Sequence, residues 1–332
     1  MSNLLERASI LTTPTAYENG KILSVKPNTS VGDFDFTRNS SATRVNSQGL
    51  IEDTTSNLPR IDYTGGEGHW LFEPQSTNLT PYSDDLTNWA VNGNITVTSN
   101  ATISPEGVNN AVKLQNITTS SSNQCVGFTA PSLSGVSVVG KAYSASIHIK
   151  PVNASDVGKF IELSIQRANG DFETLNVDVE ITSADWKRYV ITYAFTGSGS
   201  GNQTGATFKI LKSSTTIDDI YVFGVQFEES SFATSYIPTN GSTVTRLADA
   251  AFGAASSDLI NSTEGILYAE IAALADDGTV RRISLTDGTV NNRVEIAFFG
   301  SSNRINVSTK ASGTDTFNAS TSSYDITQFH IL

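Results

Sequence analysis

Two pairs of neighbouring carboxylates are the residues of this sequence best suited to bind a cation. Asp84-Asp85 stands near the start of a region of alternating apolar residues, and Asp218-Asp219 precedes the last apolar run of that region. Carboxylate oxygens are preferred ligands of Ca²⁺. If the first and last strands of this region are neighbours, Asp84, Asp85 and Asp219 form a structural calcium site. The competing interpretation is two solvated acidic turns, which are common in loops.

Two tryptophans could serve as platforms for sugar rings. Trp89 and Trp186 lie in the same alternating region. Tryptophan is usually largely buried, so we expect both to be core or edge residues of a sheet rather than ligand contacts. No residues are assigned to glycan binding from the sequence.

Four arginines stand out in a chain that is poor in charge, and they are Arg38, Arg44, Arg60 and Arg246. Their rigid guanidinium groups suit buried carboxylates, although exposed surface charges are the alternative. The carboxylates around which we expect a structural network are Glu52, Asp62 and Glu73.

Catalytic and transition-metal motifs are missing from the sequence. The three histidines, His69, His148 and His330, are far apart and form no H-E-x-x-H motif. No G-x-S-x-G motif is present, and no pair of carboxylates stands out as that of a glycosidase. Cys125 is the single cysteine, so we expect it to behave as a small apolar side chain. We therefore expect a protein that is not an enzyme and has no cofactor other than calcium.

Composition limits the partners. The 332 residues carry a net charge of −12, which opposes binding to nucleic acid and to anionic membranes. No apolar run approaches the length of a membrane-spanning helix, and the N-terminus has no secretory signal. We expect the protein to be made in a cytoplasm.

The pattern along the chain predicts an all-β protein in three segments. Residues 1–80 are rich in turn formers and predict an irregular module, with helix confined to the first dozen residues. Residues 81–238 contain short alternating runs, typical of a jelly-roll sandwich. In one run, Tyr143 to Ile149, alternation places His148 on the outer face, which we expect to meet solvent. Residues 239–332 predict a connector and a second β-sandwich that is truncated, because the chain stops within an apparent strand at Leu332.

Several stretches resemble known families. The run DFDFTRNSSATRVNSQGLIE at 33–52, with NLPRIDY at 57–63 and WLFEPQSTNL at 70–79, resembles an N-terminal module of bacteriophage fibre and appendage proteins, including those of Bacteroidetes phages and crAss-like phages. YSDDLTNW at 82–89, GKAY at 140–143, DWKR at 185–188 and IDDI at 217–220 resemble jelly-roll carbohydrate-binding modules, which often hold a structural Ca²⁺. FEESSFATSYIPTNGSTVTRLAD at 227–249 resembles the join before a concanavalin-like or laminin-G-like sandwich.

These resemblances imply a head-fibre, tail-fibre or decoration subunit of a tailed phage virion, with its N-terminal module docked on other virion proteins. Its sandwiches would then bind host surface polysaccharide. One alternative is a purely structural capsid or tail component, and a second is part of a polysaccharide depolymerase. The resemblance to fibres implies a homotrimer or a higher symmetric assembly. Apolar residues of the first segment, such as Leu5 and Phe36, favour the same state because the segment predicts no core to bury them.

Overall fold

The computed structural model describes residues 2–117, 125–168, 173–198, 203–211, 217–261, 263–300, 303–321 and 324–331. The protein is all-β, with 44% strand and 5% helix, as the sequence predicts. It divides into two compact units, 1–256 and 257–332. Among the described helices, none has the length and apolar character needed to cross a membrane.

The regular elements are short. Helix α1 is Ser2–Arg7, and single-turn 3-10 helices are found at Ser30–Gly32, Leu86–Asn88, Pro131–Leu133 and Ala154–Asp156. The strands of the first unit are β1 (Tyr17–Glu18), β2 (Lys21–Ile22), β3 (Phe34–Thr37), β4 (Ala42–Val45), β5 (Ile51–Thr54), β6 (Ile61–Asp62), β7 (His69–Trp70), β8 (Ser76–Asn78), β9 (Ala90–Asn92), β10 (Thr96–Thr102), β11 (Ala111–Gln115), β12 (Cys125–Thr129), β13 (Ala142–Pro151), β14 (Phe160–Arg167), β15 (Thr174–Glu180), β16 (Lys187–Ala194), β17 (Ala206–Leu211), β18 (Ile220–Glu228), β19 (Val244–Arg246) and β20 (Ala250–Phe252). Those of the second unit are β21 (Glu270–Ile271), β22 (Arg281–Thr286), β23 (Arg293–Phe298), β24 (Ile305–Ala311), β25 (Thr314–Thr321) and β26 (His330–Ile331).

Two five-stranded antiparallel sheets form the sandwich of the first unit. One sheet has the order β10-β11-β18-β13-β16, and the other has the order β15-β14-β17-β12-β9. Alternation places one face of each strand in the core: in β14, Ile161, Leu163 and Ile165 are fully buried. An early strand, β11, pairs with the last strand, β18, as expected for a jelly roll.

The outer face of the first of these sheets is covered by the N-terminal segment, and we call this sheet the covered sheet. Ile51 of β5 packs in one cluster with Phe223 and Tyr236. His148 lies on this outer face, as alternation predicts, but the expectation that the face meets solvent is wrong: the ring atom Nδ1 of His148 is buried, and the ring lies 6.2 Å from that of Phe223. Alternation identifies a face of a strand, whereas exposure depends on what packs over that face.

The N-terminal segment also buries apolar residues within its own chain. Phe36 and Ile22 are each 2% exposed, so Phe36 does not need a second copy of the chain to cover it. The reason is that the chain returns after the sandwich: β20 pairs with β3, and β19 pairs with β8. Leu5, in contrast, remains 54% exposed.

The second unit is built on a meander of β22, β23, β24 and β25, beside the pair β21 and β26. Its core contains Ile296, Phe298, Ile305 and Ile326. The ranges 1–80, 81–238 and 239–332 predicted from the sequence do not coincide with these two units. Residues up to 256 belong to the first unit because the connector after the sandwich pairs with the N-terminal strands.

Candidate functional site

The outer face of the second sheet of the sandwich is the candidate site, and we call this sheet the open sheet. Alternate residues of its strands face the core, so the residues between them lie on the outer face. One transverse row runs from Asn176 through Ser164, Lys209 and Gly127 to Ala90, as the strand registers show. The next row begins with Asp178 and Glu162.

Small residues occupy the middle of this face. Ser164, Gly127 and Ala90 occupy three positions of the central row, and a Cβ on Gly127 would come within 2.8 Å of Lys209 Cγ. A glycine on a strand often marks close approach of a ligand or another backbone. Here the approaching group is the side chain of Lys209, and Ser164 is 1% exposed, so a ligand on this face would meet the longer polar side chains rather than the backbone.

The longer polar side chains of the open face make no hydrogen bond or ion pair with other described parts of the chain. They are Glu162, Gln166, Asn176, Asp178 and Lys209, and each is partly or fully exposed. Carboxylates, amides and ammonium groups offer both donors and acceptors, which is the chemistry that hydroxyl-rich ligands require.

Two of these carboxylates are placed unfavourably for stability. Glu162 lies directly opposite Asp178 across the antiparallel pair of β14 and β15. Burial raises the pKa of Glu162 above its ordinary value, and the neighbouring charge of Asp178 raises it further. Like charges directly opposite one another destabilise a sheet, so the stability of the fold does not explain why this pair is present. A ligand hydroxyl donating to one of these carboxylates would relieve part of the unfavourable interaction.

The corresponding face of the covered sheet cannot offer such a site, because its polar groups are already used. Gln226 Oε1 accepts the backbone N–H of Ile237 at 2.6 Å. The Glu228 carboxylate accepts the hydroxyls of Ser76 and Thr234, each at 2.5 Å. Gln226 and Glu228 are fully buried. The two faces of the sandwich thus differ in their capacity for an external ligand.

A buried ionic cluster joins the chain before the sandwich to the chain after it. Asp249 Oδ1 accepts from Arg38 Nη1 at 3.1 Å, and Asp249 Oδ2 accepts from Arg60 Nη2 at 2.5 Å. Glu73 lies 2.9 Å from Arg60 Nη1 and 3.5 Å from Arg246 Nη2. The side chains of the three arginines and of Asp249 are 0% exposed. The N-terminal segment is therefore fixed to the base of the sandwich by interactions of very long range in sequence.

The charges of this cluster stabilise one another. Burial would raise the pKa of Glu73, but Arg60, Arg246 and hydrogen bonds from Ser235 hold it below its ordinary value. Burial lowers the pKa of Arg38, an effect that Asp249 opposes. Such a cluster depends on every member, because removing one partner leaves a buried charge without compensation.

The predicted contacts between arginines and carboxylates are confirmed at Glu73 and at Glu52, in two separate places, but not at Asp62. Arg44 pairs with Glu52 at 2.6 Å, at a separate and more exposed place. Asp62 accepts the backbone N–H of Val45 instead of an arginine. Asp249 is the member that sequence reasoning missed. Its position three residues after Arg246, in a chain poor in charge, was the available signal.

The proposed calcium ligands are not brought together. Asp219 pairs with Lys113 at 3.0 Å and accepts the backbone N–H of Asn116. Asp85 caps the 3-10 helix that follows it and accepts from Thr87. Burial raises the pKa of Asp84, and Asp85 raises it further. Within the described ranges, no group of three or more His, Cys, Asp or Glu residues is arranged to hold a metal ion.

Both tryptophans of the sandwich serve the fold. Trp89 is 6% exposed, its ring centroid is 4.7 Å from that of Phe128, and its Nε1 donates to the carbonyl of Tyr82. Trp186 Nε1 donates to the carbonyl of Ile103, and its ring packs on the covered side of the sandwich. Neither is a stacking platform on the open face.

Comparisons with known proteins give no family. No family model matches the chain, and no curated protein matches it. Solved structures with similar parts include the CBM22-1 xylan-binding domain of Paenibacillus barcinonensis Xyn10C, at 13% identity and a TM-score of 0.35, covering 48% of this chain and 99% of that domain.

Two larger proteins match only in part. The MgGH51 α-L-arabinofuranosidase is 16% identical with a TM-score of 0.36, covering 46% of this chain and 26% of the enzyme. The enzymatically active domain of tailspike protein 4 of bacteriophage CBA120 is 14% identical with a TM-score of 0.29, covering 43% of this chain and 20% of that one. These values are too low to transfer a site or an activity.

Proposed function

We propose that this chain is a non-catalytic virion subunit of a tailed phage, a fibre or decoration protein that binds neutral host-surface polysaccharide on the open sheet face. The observation that carries the binding part is the set of polar side chains on this face that have no partner within the described chain. A polysaccharide chain can lie across these side chains and exchange hydroxyl hydrogen bonds with Glu162, Asp178 and Lys209.

Charge selects the class of glycan. Glu162, Asp178 and Glu180 project from the open face beside the ammonium group of Lys209. Their excess negative charge, in a chain of net charge −12, repels acidic polysaccharides. Neutral glycans avoid this repulsion, and their hydroxyls can both donate to carboxylates and accept from lysine.

The virion part of the proposal is supported by the N-terminal segment. Its sequence resembles phage appendage modules, and the buried ionic cluster fixes it rigidly to the sandwich. A rigid connection transmits orientation, so copies held on a particle would present their open faces together. Individually weak contacts then gain strength through high effective concentration.

Binding to arrays of neutral and acidic bacterial surface polysaccharides tests the proposal. We expect neutral glycans to bind, and we expect Glu162→Gln or Lys209→Ala to weaken binding about tenfold, since a hydrogen bond to a charged group contributes roughly 1.5–3 kcal/mol. The matched control is Glu67→Gln, a change at an exposed carboxylate in the N-terminal segment. Binding that is unaffected by both open-face variants would refute this face as the site.

The alternative of a purely structural virion component is favoured by the ionic cluster alone, since a rigid joint needs no ligand. It predicts that no glycan binds and that the protein is found in purified particles. The depolymerase alternative predicts release of reducing ends from the polysaccharide, which a reducing-sugar assay measures directly.

A further inference from the structure

A second polar cleft lies in the N-terminal segment, away from the open sheet face. Its volume is about 280 Å³. Its walls include the rings of Tyr17 and Tyr63, the ion pair of Arg44 with Glu52, and the amides of Asn46 and Gln48. Ligand clefts in proteins commonly begin at about 300 Å³, so this one suits a ligand of about one sugar ring.

The polar wall of the cleft is held by a continuous series of hydrogen bonds. Asn46 Oδ1 accepts the backbone N–H groups of Gln48 and Leu50, each at 3.0 Å. Asn46 Nδ2 donates to Glu52 Oε2 at 3.1 Å, and Arg44 Nε donates to Glu52 Oε1 at 2.6 Å. A wall ordered before a ligand arrives loses little conformational entropy on binding.

The aromatic wall is joined to the same series. Arg44 Nη1 donates to the hydroxyl of Tyr17 at 2.7 Å, and its guanidinium carbon lies 5.7 Å from the centroid of the Tyr17 ring. The Tyr17 ring also contacts Trp70, with 6.0 Å between centroids. Tyr17 is therefore fixed on two sides, and its position in the cleft does not depend on a ligand.

The charges of the cleft are balanced. Arg44 and Glu52 neutralise one another, so neither an anion nor a cation gains a net electrostatic attraction from them. Burial alone would raise the pKa of Glu52, but hydrogen bonds from Asn46 and Arg44 hold it below its ordinary value, and it stays an acceptor at neutral pH. The side chains of Gln48 and Ser47 at the rim are exposed and have no recorded partner in the described chain.

We propose that this cleft binds a single neutral sugar ring, a pyranose unit, as a site separate from the open sheet face. The apolar face of the sugar packs on a tyrosine ring, and its neighbouring hydroxyls donate to Glu52 and accept from Arg44 or Gln48. A paired carboxylate and guanidinium offer acceptor and donor side by side, which matches adjacent hydroxyls. This inference does not rest on glycan binding by the open face.

Saturation-transfer NMR of the full chain with methyl glycosides of glucose, galactose, mannose and N-acetylglucosamine tests the proposal. We expect at least one glycoside to receive saturation and its apparent Kd to rise about fivefold or more in Tyr63→Ala, which removes the ring. Ser47→Trp places bulk at the exposed rim without removing any structural contact, and we expect it to abolish the signal. Each variant is checked for an unchanged circular dichroism spectrum and melting temperature.

The controls separate this site from the open face. Gln75→Ala, at an exposed glutamine outside the cleft, should leave the monosaccharide signal unchanged, whereas Glu162→Gln reports any binding of the glycosides to the open sheet. Absence of saturation for all four glycosides in the parent protein would overturn the proposal. A signal that survives Ser47→Trp in a folded protein would overturn it as well, and a signal lost only in Glu162→Gln would assign binding to the open face.

Discussion

Replacing Asp249 with asparagine should be the most damaging isosteric change in the first unit. The carboxylate lies between Arg38 and Arg60 and also accepts the backbone N–H of Glu73 at 2.9 Å. An asparagine amide at this position would keep the shape and one acceptor but remove the negative charge. Three buried arginines, Arg38, Arg60 and Arg246, would then have Glu73 as the remaining carboxylate of the cluster.

The expected loss is about 3–5 kcal/mol in the free energy of unfolding, the usual cost of breaking a buried ion pair by removing one partner. For a unit of this size, 1 kcal/mol corresponds to roughly 2–4 °C, so its melting temperature should fall by about 6–20 °C. The changes Arg60→Met and Asp249→Asn should be strongly non-additive, because both disrupt the same cluster.

Differential scanning calorimetry combined with urea unfolding measures this change. The matched control is Asp185→Asn, since Asp185 is 92% exposed and lies 3.8 Å from Lys150. Exposed pairs contribute about 0–1 kcal/mol, so the control should unfold like the parent. A loss below about 1 kcal/mol for Asp249→Asn would show that the cluster does not hold the N-terminal segment to the sandwich.

Two further predictions concern acid stability and assembly. Burial, aided by the charge of Arg188, lowers the pKa of His148 to about 3. In the unfolded chain this histidine titrates near 6.5. The free energy of unfolding should therefore be independent of His148 above that pH and fall by about 2 kcal/mol by pH ~5, because the unfolded state then binds a proton that the folded state does not. Urea unfolding at several pH values should show this loss in the parent protein and not in His148→Phe. If the free energy of unfolding changes equally with pH in both proteins, His148 is not the group responsible. We also propose a homotrimer, in which exposed apolar residues such as Leu5 are buried between copies; added salt should weaken it little, because screening reduces the repulsion between acidic chains. Sedimentation equilibrium that finds a monomer at micromolar concentration would refute the trimer.

Local pattern is enough to predict the fold class and most strands of the sandwich. The alternating run from Tyr143 to Ile149 lies within β13. Period-two alternation is a property of a few consecutive residues, and burial of one face imposes it on every strand of a sandwich. Strand β12, with Gly127 at its centre, lacks a strong pattern, and the sequence does not predict it.

The candidate sites needed the tertiary structure. The sequence places His148 on an outer face, but only the return of the N-terminal segment over that sheet determines that the face is buried. Arg60 and Asp249 are 189 residues apart, and no local pattern encodes such a pair. We predicted that Asp84 and Asp219 lie close together because the first and last strands of a jelly roll are neighbours, but Asp219 instead forms an ion pair with Lys113 of β11. A side chain's partner is determined by which distant segments pack beside it, and packing is a property of the whole chain rather than of its short segments.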